Sequence, residues 1–421
     1  MKHVIPTILI LFFVQVVLCV YGTLVFQKEA NPFAIITVSA LLTGWCWRVL
    51  NTANQQLHPS RPSAILPWIT ALAGMLGLFT AYEEIRKIWV EYAEIGRNSD
   101  VLPQLKAQAD LFFAGQFPYQ PIPTIEYHPF PVYMPLHWAP VQVSNLAHID
   151  VRWSGLILML AAIGVSGYWL QKSHPAAPGK YTVPAMLLFT LPVWAFVLLD
   201  RTMFSLNLET VVAAWYILLA AGLASKNHAL IVIGLIGAVL SRYTLLFWLP
   251  LFAILLWLYA PKKYSFWVWG SVGAAVLFLF ALPFWMKDPS IVAQIIGYYT
   301  HCSEGAWLRP DEYTFLDGMS LNIHLRRWLP GTPEENIAYS HYPQIGLQLL
   351  LVGLGVFYYR RKWRDSLDIY TFSLLALTIM PILFYTFSPM LFKYYMLMPL
   401  CVSAVLCWKT IAVAATKQNA G

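Results

Sequence analysis

Charged side chains interrupt several otherwise apolar runs of this chain. Asp200-Arg201 closes one run, Arg242 breaks "LSRYTLLFWLP", and Lys393 stands inside "FSPMLFKYYMLMP". Charge at membrane depth is expensive and marks function by default. Arg forks and Lys point charges both bind phosphate oxygens, so bases gathered at one level suit a lipid phosphate. Each group also has a plainer role. Asp200-Arg201 can be an internal ion pair, and Lys393 can snorkel to the interface. Two further acids, Asp100 and Asp110, lie in a long loop. Asp110 reads as a solvated helix charge. Asp100, in "NSDVLPQLKAQADLF", stands with Ser99 where a helix N-cap belongs.

Other chemistries find no pattern here. The ten histidines form no ligand pairs at i, i+4, and His128 and His137 flank prolines, where a hydrogen-bonding role fits better than a metal. Four of the five cysteines, Cys19, Cys46, Cys401 and Cys407, lie in apolar runs without metal spacing and read as small buried hydrophobes. Signatures of soluble enzymes such as GxSxG, HExxH or a P-loop are absent.

The elements that must position these groups follow from composition. Of 421 residues, 59% are hydrophobic and 11% charged, against roughly 25% charged in soluble domains. That charge cannot cover a soluble surface, so the chain reads as an all-α, polytopic membrane protein, a single domain over residues 1–421. A span needs about 20 mostly apolar residues. Runs near 4–26, 33–50, 64–82, 153–171, 182–199, 207–225, 228–241, 243–260, 265–285, 345–359, 368–387 and 391–412 predict about twelve spans. The N-terminal run, long and without a clear cleavage site, reads as an uncleaved first helix. The net charge of +7 belongs to membrane topology rather than to nucleic acid. Short segments on one side carry Lys172, Lys180, Lys226, Lys262, Lys263 and "RRKWR" (360–364), with Asp365 and Asp368 as their acids. That bias puts this side and both termini in the cytoplasm. Two long loops, 83–152 and 286–344, then face outward, and "YEEIRKIWVEYAEIGR" opens the first as an interfacial helix.

Residues 114–140, "AGQFPYQPIPTIEYHPFPVYMPLHWAP", hold seven of the 28 prolines among many aromatics. Interior prolines forbid a long helix, and aromatics argue against a disordered linker. The stretch is expected to form a preformed wall. Its prolines lower the ordering cost of binding, and its rings suit the headgroup level.

The run "SDVLPQLKAQADLFFAGQFPYQP" (99–121) resembles the first outer loop of GT-C-type glycosyltransferases. The likeness is to bacterial polyprenyl-phosphate-sugar-dependent enzymes of the mannosyltransferase type (family 87-like). It lies in an acid, a helix through Phe113, Gly115-Gln116-Phe117-Pro118-Tyr119, and "YHPFPVYMPLHWAP". "FSLNLETVVAAW", "LSRYTLLFWLP", "LDGMSLNIHLRRWLPG" and "FSPMLFKYYMLMP" extend it loosely to about residue 412. The chain departs from the pattern in two extra helices within 1–63 and in the distance of Asp100 from the membrane exit, which leaves Glu83 or Glu84 as alternative acids. The resemblance implies an inverting transfer of a hexose from a polyprenyl-phosphate sugar to a hydroxyl of a glycolipid, glycan or protein, on the outer face of a bacterial inner membrane. It makes Asp100 the general base, with Arg201, Arg242 and Lys393 holding the lipid phosphate, and Tyr119, His128 and Tyr394 contacting substrate. No cofactor is implied, though some enzymes of this fold use a divalent cation. A lipid-linked-sugar flippase or polysaccharide transporter would place its charges along a path through the membrane. An envelope assembly protein would have no need of Asp100.

Overall fold

Apolar segments satisfy their backbone groups in lipid by forming helices, and helices are the regular element throughout the described residues. The computed structural model describes residues 3–26, 29–51, 63–94, 99–123, 125, 128–308, 320–389 and 392–420. Arg61, Glu126, Tyr127, Met390, Leu391 and the stretch 309–319 of the second long loop fall outside them.

Helices α1 (Val4–Val25) and α2 (Asn31–Asn51) form an antiparallel pair. Next come α3 (Leu66–Thr80) and the amphipathic α4 (Tyr82–Glu91). The first long loop contains α5 (Val101–Phe113), α6 (Pro135–Trp138) and α7 (Val141–Ala147). α8 (Arg152–Ser173) follows, and α9 (Gly179–Ala185) runs through a 3-10 turn into α10 (Thr190–Leu199). The short α11 (Thr202–Ser205) leads into α12 (Glu209–Ser225) and α13 (His228–Val239). After a 3-10 turn at Tyr243–Phe247 come α14 (Leu249–Tyr259) and α15 (Lys262–Val276), the latter continuing as π-helical turns over Leu277–Trp285. The second long loop holds α16 (Ile291–Leu308), α17 (Asn322–Trp328) and the start of α18 (Pro333–Tyr358). α19 (Ile369–Thr386), a 3-10 turn at Lys393–Met396 and α20 (Leu397–Ala420) complete the chain.

Among the described residues, seven helical stretches are long and apolar enough to cross a membrane: Val4–Gly22, Asn31–Asn51, Arg152–Ser173, Gly179–Leu199, Lys262–Trp285, Ile369–Thr386 and Lys393–Gln418. The other five predicted spans are helical too, but shorter or polar over much of their length, as in "PEENIAYSHYPQ" at the start of α18. α12 and α20 are mostly apolar and buried on all sides apart from the C-terminal end of α20, as befits helices at the centre of a bundle.

One close approach sets up the site. α12 and α13 pack antiparallel through small residues, which let helix backbones close together. A Cβ on Gly234 would lie 2.3 Å from the Leu219 backbone nitrogen. Lys226, in the left-handed region at φ 57°, turns the chain between them, and the Asn227 side chain caps α13. The tight hairpin brings the first residue of α12, Glu209, beside Arg242 at the far end of α13.

The first long loop has its own apolar core. Leu102, Leu105, Tyr119, Phe130, Trp138 and Phe284 belong to a cluster distinct from that of the bundle. Arg152 fastens the loop to the bundle. Its guanidinium donates to Asp150 and to the backbone oxygens of Trp89, Tyr92 and Ser205.

Candidate active site

Asp100 occupies the N-cap position of α5, yet its side chain does not cap the helix. Ser99 takes that role, its Oγ accepting the Val101 N–H at 3.1 Å. The Asp100 carboxylate is thereby free to turn along the helix, where Oδ2 accepts from Gln104 Nε2 at 2.5 Å. Gln108, one further turn on, donates from Nε2 to the Tyr133 carbonyl at 3.2 Å. Asp100, Gln104 and Gln108 form a polar stripe on a helix whose other buried residues are Leu102, Leu105 and Ala109.

The proline-aromatic loop carries Tyr133 to this stripe. Tyr119 is buried beneath and donates its hydroxyl to the Tyr133 carbonyl at 3.0 Å. The Leu136 N–H reaches the Leu240 carbonyl at 2.8 Å, and Trp215 Nε1 donates to the Leu136 carbonyl at 3.2 Å. These bonds pin the loop against the ends of α12 and α13. Burial, with the Asp100 carboxylate behind it, pushes the Tyr133 hydroxyl well above the usual phenol range, so it remains a neutral donor.

Arg242 lies on the other side. It is buried, pairs with Glu209, and holds its guanidinium carbon 4.4 Å from the centre of the Tyr395 ring. Tyr133, Tyr243, Tyr385 and Tyr395 surround it electrostatically. Tyr133 and Tyr394 each lie within electrostatic reach of both Asp100 and Arg242. Asp100 and the buried Arg242 therefore share two tyrosines within electrostatic reach.

The other sequence-nominated residues are placed differently. Arg201 is exposed and bonds Glu91 at 2.5 Å, tying α4 to the end of α10. Lys393 is partly buried on the turn that carries Tyr394 and Tyr395 and has no carboxylate within 4 Å among the described residues. Glu83 is exposed and Glu84 half-buried on α4, paired with Arg86 and Lys87. His128 is exposed at φ 46°, and its N–H closes a turn onto the Ile125 carbonyl at 2.8 Å. Asp110 accepts from Lys106 and Asn145 at the rim of a 530 Å³ surface cleft between α5 and α7.

Four contributors escaped the sequence reading, Gln104, Gln108, Tyr133 and Glu209, while His137 figured in it only as a hydrogen-bonding side chain beside prolines. Gln104 and Gln108 were signalled by their i+4 and i+8 spacing from Asp100. Glu209 was signalled as an acid inside "LNLETVVAAW". His137 is fully buried with its ring edge-on to Tyr133, the centroids 5.1 Å apart. Burial and then Arg242 hold the imidazole well below its usual pKa, so it is neutral. The Leu208 backbone lies near this ring but outside hydrogen-bond geometry, and neither ring nitrogen has a partner among the described residues. Among the described residues no group of three His, Cys, Asp or Glu side chains is placed to hold a metal ion.

No protein-family model matches the chain, and neither does any curated protein or solved structure.

Proposed function

We propose that the chain is a membrane glycosyltransferase that moves a hexose from a polyprenyl-phosphate sugar to an acceptor hydroxyl. The observation that carries this reading is the Asp100 carboxylate, released from helix capping and held by Gln104, which shares Tyr133 and Tyr394 as electrostatic neighbours with the buried Arg242. The acceptor oxygen attacks the anomeric carbon as its proton passes to Asp100. The bond from that carbon to the phosphate oxygen breaks, and its electron pair stays on the phosphate. Attack opposite the leaving group inverts the anomeric centre. Proton transfer to a positioned base is worth typically about 10²–10⁴-fold. Arg242 stabilises the charge that develops on the phosphate, in a site where low dielectric strengthens the interaction. Neutral tyrosine hydroxyls such as that of Tyr133 serve as hydrogen-bond donors to substrate oxygens, and their rings as stacking faces.

The bases of the opposite end favour a cytoplasmic position for that end, so the site faces the outer surface of a bacterial inner membrane. Transfer of radiolabelled hexose from a polyprenyl-phosphate sugar by the purified protein in liposomes tests the activity. No transfer with a panel of such donors and hydroxyl acceptors rejects the reading. Cysteines placed at His301 and Arg361 test the orientation, since labelling of both from the same side of sealed vesicles is incompatible with it.

A further inference from the structure

The Arg242–Glu209 pair poses a problem for a phosphate site. A cation meant to hold an anion is already neutralised, and by a carboxylate on a fully buried residue. Stability does not require this arrangement, because a buried ion pair is often no better than packed apolar residues. Glu209 has the surroundings of a carboxylate, with Arg242 as its ion-pair partner. It occupies the first turn of α12, where the helix dipole favours negative charge. Its own N–H donates to the Asn207 side chain at 3.0 Å, which fixes the helix start. Arg242, for its part, is not used up: its Nε is buried and has no partner among the described residues. The guanidinium thus offers a free donor beside a permanently fixed carboxylate.

The chemistry proposed above gives that combination a purpose, and the inference rests on that reading. The donor is a phosphodiester with a single negative charge. Cleavage of its bond to the sugar leaves a phosphomonoester, which carries about −1.5 to −2 at pH 7. A lone buried arginine would hold this product more tightly than the donor, and the product would block the site. We propose that Glu209 is a product-release residue: its fixed charge lets Arg242 hold a lipid phosphodiester through the free Nε but repels the added charge of the lipid phosphomonoester. The tyrosines and His137 around the guanidinium carry no charge and cannot make that distinction. The acid that could, Asp100, accepts the acceptor's proton during transfer, which leaves Glu209 as the standing negative charge.

The test is equilibrium binding to the full-length protein in nanodiscs, with a short prenyl monophosphate and its methyl phosphodiester as probes. The parent should bind the two within about threefold of each other. Glu209→Gln keeps the shape and an acceptor oxygen but removes the charge. It should bind the monoester at least about tenfold more tightly while the diester gains much less, since one contact charge in a partly screened interior exceeds a tenfold step. In turnover it should show a lower donor KM, a lower kcat and stronger inhibition by the monoester. Glu209→Asp, which retains the charge, should keep the parent's selectivity. An unchanged ratio of the two affinities in Glu209→Gln overturns the proposal. Should that variant not fold, the parent decides, because a parental preference for the monoester above about tenfold is equally fatal. A parent that binds neither probe rejects the lipid-phosphate donor itself and takes this inference with it. Binding of both probes with unaltered selectivity in Glu209→Gln rejects the inference alone.

Discussion

Two aspartates, one at each end of the bundle, sit in polar clusters that are partnered differently. At the end carrying the basic loops, Asp368 caps α19 with Oδ1, accepting the N–H groups of Tyr370 and Thr371. Its Oδ2 accepts from Thr371 Oγ1 at 2.8 Å and pairs with Lys226 at 3.2 Å. Lys409 donates to the same Thr371 hydroxyl at 2.7 Å. That network uses each carboxylate oxygen twice. At the opposite end the Asp100 carboxylate makes no cap, and Gln104 Oε1, Gln108 Oε1, both His137 nitrogens and Arg242 Nε stay buried without partners among the described residues. An unsatisfied buried group costs about 1–3 kcal/mol, so leaving several together is tolerable where a ligand supplies the missing bonds. A satisfied network holds helices, and an unsatisfied one has bonds left for the proposed substrate to fill.

Substitution at the two aspartates breaks or sharpens this contrast most strongly. Asp100→Asn should lower glycosyl transfer at least about a hundredfold and leave the unfolding temperature almost unmoved, because the carboxylate caps nothing. Transfer within about threefold of the parent would remove Asp100 as the base. Asp368→Asn should do the reverse. It should cost roughly 2–4 kcal/mol of stability by leaving Lys409 without its counter-charge, with kcat of the folded fraction preserved. A stable Asp368→Asn protein with lost turnover would undo the distinction between the ends.

A pH series examines the same network more gently. Burial alone would raise the Asp368 pKa, but Lys409, Lys226 and the bonds from Thr371 hold it down at about 2, below the value near 3.9 of an unfolded chain. A depressed folded pKa stabilises above the unfolded value. The contribution of Asp368 should therefore be complete above about pH 4 and fade as pH falls toward 2. Thermal unfolding of the parent and of Asp368→Asn should converge over that interval. Parallel curves down to the lowest pH would assign the acid sensitivity elsewhere.

The smallest expected effect concerns the exposed pair. Arg201 and Glu91 are each about half exposed, and such pairs contribute about 0–1 kcal/mol. Arg201→Ala should shift the donor KM by less than about threefold, in contrast to substitutions at Arg242. An Arg201→Ala defect as large as that of Arg242 would move the phosphate site toward the end of α10.

Much of the site was legible as a set of residue types. Asp100, Arg242 and Tyr394 stand out because a charge or a polar ring in an apolar context is expensive wherever it ends up. The loop 114–140 stood apart from a linker through its prolines and rings, and within it Tyr119 serves as a buried support beneath Tyr133. Choices among similar residues were not legible. His128 and His137 both flank prolines, yet one is exposed in a turn and the other is buried beside Arg242. Arg201 and Arg242 both border apolar runs, but a neighbouring Glu91 claims the first at the surface. Span number was also blurred, because a polar half-helix such as the start of α18 dilutes the apolar signal of the half that follows.

The sequence by itself determined that the chain is helical and belongs in a membrane, since 11% charge leaves no other way to cover its apolar surface. It also determined which residues could carry charge chemistry, because side-chain identity is local. Only the tertiary structure decided how those residues are partnered. Whether Asp100 caps or faces inward depends on Ser99 taking the cap and Gln104 lying one turn away. Whether Arg242 is free depends on the close packing of α12 against α13, which delivers Glu209. Hydrogen bonds and ion pairs act over a few ångströms, and only folding brings groups distant in the chain within that range.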